Sequence, residues 1–244
     1  MIYEIAGLRI EIKNRCRYTE NFCKGYVAED QESPFDLTAV VTSEEFYAEK
    51  ELSSNFSDGY IENICLYRSI CKQLPTLNRM LLHAAVLDFN GNGYAFLGRS
   101  GTGKSTHTGL WMKYLNNVKI INGDKPILKS EENGFIAFGT PWMGKEGLGC
   151  NQSTPLKGLC FLEQAKENSI RTLIPSEVAS RLFPQILIPN DEENAVATLD
   201  LADKLIQQTP AYLLKCNISE EAAKLSFETM TGNSWDDYKR KEEN

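Results

Sequence analysis

Residues 98–105 read Gly-Arg-Ser-Gly-Thr-Gly-Lys-Ser and satisfy the full Gly-x-x-x-x-Gly-Lys-Ser/Thr pattern of a phosphate-binding loop. Such a loop needs a buried strand before it and a helix after it, so eight residues constrain the architecture around them. From Gly98 through Ser100, Gly101, Thr102 and Gly103 the backbone must curl inward and aim its N–H groups at phosphate oxygens, where a Cβ would clash or strain the turn. Lys104 then supplies a mobile positive charge for β and γ phosphates, and the Ser105 hydroxyl suits a magnesium ion bridging them. Thr106 follows in the first helical turn, whose partial positive charge favours the same anion.

Chance alone places the four fixed positions in roughly one of a hundred chains of this length. The flanking residues decide against that bland reading. Residues 94–97 (Tyr-Ala-Phe-Leu) form a short apolar run suited to a buried strand, and residues 106–114 present Leu110, Trp111 and Tyr114 as one helical face.

The 244 residues are enough for one large domain, or for one domain with a substantial extension. With 42% hydrophobic and 24% charged residues the composition is that of a globular protein, and the net charge of −7 argues against nucleic acid or an anionic membrane as a partner. Seven cysteines include no Cys-x-x-Cys pair and there are only two histidines, which disfavours a structural zinc site. No signal-like N-terminus and no run of 18 apolar residues occurs, so a cytoplasmic protein with reduced thiols is expected.

Residues 2–12, 24–28 and 35–41 read as strands and residues 49–58 as polar loop, which together suggest a β-rich N-terminal portion over residues 1–57 packed on a core of residues 58–244. Asp58 is expected to cap a helix that Pro75 ends. Residues 81–89 read as one continuous central strand, and Asn90-Gly91-Asn92-Gly93 turns it back into the strand that feeds the phosphate loop. Farther on, residues 126–129 and 134–138 read as a hairpin, and 156–162, 170–173 and 211–216 as strands. Helices are expected from Ser176, from residues 192–194 to 208 and from Ser219 to Gly232, with a frayed, charged tail over residues 235–244.

Two acidic positions carry chemistry. Asp124 ends the short apolar strand 118–121 through Asn122-Gly123, where a metal-directed carboxylate of a nucleotide site is expected. Without the loop upstream the same Asp would read as an ordinary turn residue. Residues 139–149 hold four glycines among eleven positions and expose Lys145 and Glu146 on a connection that is either a mobile reactive loop or only a long link.

The run LLHAAVLDFNGNGYAFLGRSGTGKSTHTGLW followed by INGDK resembles the HPr kinase/phosphorylase and phosphoenolpyruvate carboxykinase superfamily, especially its small HPr-serine-kinase-like members. His83 on the incoming strand, the hairpin into the phosphate loop and the acid after the loop helix carry the resemblance. It implies an α/β fold, a phosphate-loop core of mixed sheet with flanking helices. It also implies ATP and Mg2+ as cofactors, transfer of the γ-phosphoryl group to a hydroxyl of a protein, peptide or small molecule, and assembly as a homo-oligomer. By matching position Lys104 would hold phosphates, Ser105 and Asp124 the metal, and Asp124 is also a candidate base. The superfamily pattern has two adjacent aspartates where this chain has Asn122-Gly123-Asp124-Lys125, which leaves Glu146 as a second candidate base. The missing acid keeps open an ATP-binding regulatory module without phosphotransfer. Nothing in the residues names the acceptor.

Overall fold

A computed structural model describes residues 1–241. The N-terminal portion comprises strands β1 (Ile2–Ile5) and β2 (Leu8–Lys13), helix α1 (Arg17–Phe22), strand β3 (Leu37–Val40) and helix α2 (Ser43–Leu52), followed by α3 (Asp58–Gln73). The span expected as one strand over residues 2–12 is a hairpin, because Ala6 and Gly7 take positive φ (54° and 68°) and reverse the chain in two residues. Residues 24–26 form a 3-10 turn rather than a strand. The first part of the span expected as loop, residues 49–52, belongs to α2, which is started by a capping box in which Thr42 accepts from the Glu45 N–H and Glu45 answers the Thr42 N–H. The cap of α3 is Ser57, one residue earlier than expected.

Beyond α3 come β4 (Arg79–Leu81), β5 (Ala84–Phe89), β6 (Asn92–Leu97), α4 (Lys104–Tyr114), β7 (Val118–Asn122), β8 (Ile127–Glu131), β9 (Gly134–Phe138), β10 (Ser153–Gln164) and β11 (Ser169–Thr172). The chain ends with α5 (Pro175–Leu182), α6 (Glu192–Gln208), β12 (Ala211–Cys216), α7 (Glu220–Thr231) and α8 (Trp235–Tyr238). Nine strands make one mixed sheet in the order β4-β8-β9-β10-β6-β5-β7, with β12 beside the far half of β10 and β11 outside it. The β10–β6 and β10–β12 pairs are parallel; the remaining pairs of this sheet are antiparallel.

Alternation along the strands sends side chains to two cores. Val86, Ala95, Leu97, Leu159 and Phe161 face α5 and α6, whereas Leu87, Tyr94, Phe96, Cys160 and Leu162 face α4, α7 and α8. The 235–238 segment belongs to this second core, because Trp235 is fully enclosed and its ring packs on Phe227 and Tyr114; residues 242–244 lie outside the described residues. On α6 the expected apolar stripe is narrower than predicted: Leu201, Ala202 and Leu205 are buried, but Val196 and Leu199 are exposed.

A third core joins the N-terminal sheet to α3 and to Leu81, Ile127 and Trp142. Two polar anchors fix this junction. The buried Glu62 carboxylate accepts from the Arg15 and Cys16 N–H groups at 2.7 and 2.8 Å, and the buried Arg79 guanidinium donates to the carbonyls of Ala6, Gly7 and Leu77.

Candidate functional site

The central run of residues 81–89 is not one strand. β4 pairs with β8 whereas β5 pairs with β6 and β7, so the chain breaks where it changes partner, at Leu82 and His83. There the His83 N–H donates to the Gln185 carbonyl at 2.7 Å and the Ala84 N–H to the Asp124 carbonyl at 3.0 Å. The break sets His83 on the sheet edge where β6, β7, β10 and β12 end.

From that edge β5 runs out and returns through Asn90 (φ 50°) and Gly91 (φ 78°), the two left-handed residues of a tight hairpin. Asp88 locks the turn, accepting from the Gly91 N–H at 3.1 Å and from Thr154 Oγ1 on β10 at 2.6 Å. β6 then delivers residues 98–103. Thr102 closes this loop onto the Arg99 carbonyl through both its N–H and its hydroxyl, and Gln164 at the end of β10 donates to the Gly101 carbonyl at 3.0 Å. Gly103 caps α4 at φ 103° with no side chain answering the helix N-terminus. The N–H groups of Gly103, Lys104 and Ser105 find no acceptor among the described residues. The result is an unanswered cluster of donors at the positive end of a helix.

α4 is held in place by its other histidine. His107 is buried and shares the Ser226 hydroxyl of α7 with Trp111 Nε1, each at 2.9 Å. Burial pushes its pKa down to about 4, so it sits in the core uncharged.

Lys104 folds back under the loop. Its ammonium donates to the Gly98 carbonyl at 2.9 Å and lies 3.2 Å from His83 Nε2. The same His83 nitrogen is 3.1 Å from Asp124 Oδ1, and Lys125 Nζ is 3.0 Å from Asp124 Oδ2. Four residues from three separate stretches thus make one connected chain of polar contacts. Burial would raise the Asp124 pKa, but hydrogen bonding from His83 and the Lys125 charge outweigh it and hold the carboxyl at about 2. Burial lowers the Lys104 pKa, opposed by Asp124 and reinforced by Lys125.

Asn122 sets the turn that aims Asp124. Its side-chain oxygen accepts from the N–H groups of Asp124 and Lys125, and its amide donates to Thr140. The neighbouring asparagine is therefore a turn former and no substitute for a second acid.

Residues 139–149 lie along the end of β7. The first part is anchored, with Trp142 buried and donating to Asn63 of α3, whereas residues 144–148 are exposed. At Gly144 (φ 81°) an added Cβ would stand 3.0 Å from Asp124 Cβ and 3.7 Å from a Glu146 carboxylate oxygen. Glu146 thus reaches the neighbourhood of Asp124, and its side chain has no hydrogen bond or ion pair among the described residues.

Beside Thr106, His107 and Leu110 the structure opens a cleft of about 360 Å³, closed on the far side by Asn217 and Ile218 after β12. The structure brings Lys104, Ser105, Thr106 and Asp124 to one sheet edge and adds to them contacts that the sequence reading did not contain: Lys125 as the partner of Asp124, Gln164 as the clasp on the loop and the walls of this cleft. A lysine next to an aspartate is a legible pairing signal; the other two come from segments far off in the chain and carry none.

No group of three or more His, Cys, Asp or Glu side chains able to hold a metal by themselves occurs among the described residues, and no helix there is long and apolar enough to cross a membrane.

Fold and site together define a mixed α/β protein whose central hairpin carries a helix-capping loop of anion-binding pattern against a Lys-His-Asp-Lys chain. The chain belongs to the family described as SynChlorMet cassette protein ScmC, whose profile matches residues 54–223 and so includes the loop, His83 and Asp124. No curated protein is matched by the sequence. Among solved structures the chain is similar to the Hpr(Ser) kinase/phosphatase from Coxiella burnetii at 17% identity, covering 52% of this chain and 88% of that one. The TM-score of 0.28 is too low to transfer a residue role between them.

Proposed function

We propose that this protein binds ATP at residues 98–106 and transfers its γ-phosphoryl group to a hydroxyl. The observation that carries the reading is the juxtaposition of Lys104 with His83 and Asp124 directly under a loop whose Gly103, Lys104 and Ser105 N–H groups have no acceptor among the described residues. Phosphoryl transfer asks little covalent chemistry of a protein; it asks for cations and N–H donors around the phosphates and an acceptor for one proton. The loop N–H groups and Lys104 supply the first requirement. The cleft beside Thr106 and Leu110 lies on the α4 side of the loop and suits the nucleoside. In this reading residues 58–244 are the catalytic core, and residues 1–57 brace α3, which in turn holds Trp142 and the glycine-rich loop.

Magnesium fits the donor set. Asp124 is held ionised and Ser105 is part-exposed at the first helical turn, and magnesium needs only one or two protein oxygens beside phosphates and water. When bound it would neutralise charge developing on the β and γ phosphates. Ser105 and Asp124 would hold it, with Asp124 first exchanging its contact with Lys125.

The two candidate bases differ. A carboxyl held at about 2 is a poor proton acceptor near neutrality, so Asp124 serves as fixed charge. Glu146, unpaired among the described residues and on the exposed part of the loop, takes the proton. In the transfer the acceptor oxygen bonds to the γ phosphorus, the bond from that phosphorus to the β–γ bridging oxygen breaks, ADP leaves, and the hydroxyl proton passes to Glu146.

A second reading is favoured by one contact. Lys125 occupies one face of the single carboxylate, a place where a kinase would want metal. An ATP-binding regulatory module would keep that ion pair and never turn over. The two readings separate on γ-labelled ATP: the kinase reading expects label on an acceptor, lost in Lys104→Ala, whereas binding without turnover in the intact chain establishes the regulatory reading instead.

A further inference from the structure

A second cleft, of about 310 Å³, opens on the other side of the loop, where the end of β10 meets α5. Its walls include Gly98, Arg99, Glu163, Arg181 and Gln185. Two of these already hold the reacting groups: the Gly98 carbonyl anchors Lys104 Nζ and the Gln185 carbonyl anchors the His83 N–H. Lys104 and His83 do not line the cleft, so an occupant faces that pair across the Gly98 and Gln185 backbone, on the side away from the nucleoside cleft.

The chemistry of the walls is specific. Arg181 pairs with Glu163 at 2.9 Å, whereas the Arg99 guanidinium has no hydrogen bond or ion pair among the described residues. Two guanidinium groups against one carboxylate leave a net charge of +1, matched to one negative charge. A planar guanidinium suits a carboxylate, with two parallel N–H···O bonds. Gln185 gives an independent sign of a missing partner. It is 6% exposed, and its side-chain oxygen is buried with no donor. An unanswered buried amide oxygen is costly, and the amide nitrogen of the same side chain, which makes no hydrogen bond among the described residues, is left to donate to a hydroxyl oxygen. The volume lies at the low end for ligand sites and excludes a bulky occupant.

We propose that this cleft is the acceptor site and that the acceptor is a small hydroxy acid, its carboxylate on Arg99 and Arg181 and its hydroxyl on Gln185. The assignment rests on the phosphotransfer reading above. Its hydroxyl oxygen forms the bond to the γ phosphorus, ADP departs with the bridging oxygen, and the released proton goes to Glu146.

The test uses the full chain with Mg2+ and γ-labelled ATP and two isosteric probes, glycerate and its neutral amide. Label is expected on glycerate and not on the amide. Arg181→Gln should raise the KM for glycerate about ten- to a hundredfold while leaving ATP affinity unchanged, and Arg181→Lys should recover part of the loss. Unchanged ATP affinity also shows that the variant is folded. Equal labelling of acid and amide, or an Arg181→Gln enzyme with the parental KM, overturns the acceptor assignment. So does ATP binding without label on glycerate. Failure of the intact chain to bind ATP, or labelling that persists in Lys104→Ala, overturns the phosphotransfer reading itself and the assignment with it.

Discussion

His83 Nε2 lies 3.1 Å from Asp124 Oδ1 and 3.2 Å from Lys104 Nζ, and a single ring nitrogen cannot serve both. Protonated, it donates to the carboxylate; unprotonated, it accepts from the ammonium. Because Asp124 is held ionised, the tautomer with hydrogen on Nε2 is favoured and Lys104 is left to the Gly98 carbonyl. The 15N shifts of His83 near pH 7 should therefore report a protonated Nε2 in the parent chain. In Asp124→Ala the pattern should invert, with the lone pair of Nε2 turned to Lys104. An unchanged spectrum in that variant would mean that the carboxylate does not set the tautomer.

Glu146→Gln should lower the rate of phosphoryl transfer about a hundredfold or more, with ATP affinity unaltered, since the residue is assigned only to the proton. Initial rates at saturating ATP check this, and a variant as fast as the parent removes Glu146 from the mechanism.

Asp124 makes stability acid-sensitive in a defined window. Its folded pKa of about 2 lies below the usual carboxyl value of 3.8, so its contribution is present above about pH 4 and fades as the pH falls towards 2. The amount is on the order of 2 kcal/mol. Urea midpoints of the parent chain should fall across this window more steeply than those of Asp124→Asn, and parallel curves would argue against the assigned network.

His107 acts at higher pH. Its pKa falls from 6.5 to about 4 on burial, so the unfolded chain binds a proton that the folded one refuses between those values. Stability is full above about 6.5 and declines on acidification towards 4, by roughly 3 kcal/mol. His107→Gln keeps a partner for Ser226 without the titration, and its unfolding midpoint should be nearly flat over the same range.

Gly139 packs too closely for any side chain. An added Cβ would stand 1.8 Å from the Cys150 carbonyl and 2.7 Å from that of Ile121, both backbone atoms that cannot step aside. Gly139→Ala should cost about 3 kcal/mol and loosen the loop that carries Glu146. Gly25→Ala, which meets nothing within 4 Å, is the matched control and should leave thermal unfolding unchanged.

What could be read locally was read from local causes. The phosphate-loop pattern demanded a strand before residue 98 and a helix after 103, and β6 and α4 stand there, because glycine positions and apolar runs act within a few residues. Asn90-Gly91 likewise specified its hairpin through backbone freedom alone. By itself, the sequence also singled out Lys104 and Asp124 as charged groups beside turns. It did not determine that the 81–89 run breaks at His83, because the break arises from a change of pairing partner between β8 and the β6–β7 side. Nor did it determine that Lys104, His83, Asp124 and Lys125 form one chain of contacts, or that Gly98 and Gln185 share a cleft with Arg99 and Arg181. Those are meetings of segments up to 87 positions apart, between Gly98 and Gln185, and only closure of the mixed sheet brings them to one edge. Tertiary structure decided them because proximity across strands depends on register and strand order, which no stretch of local sequence encodes.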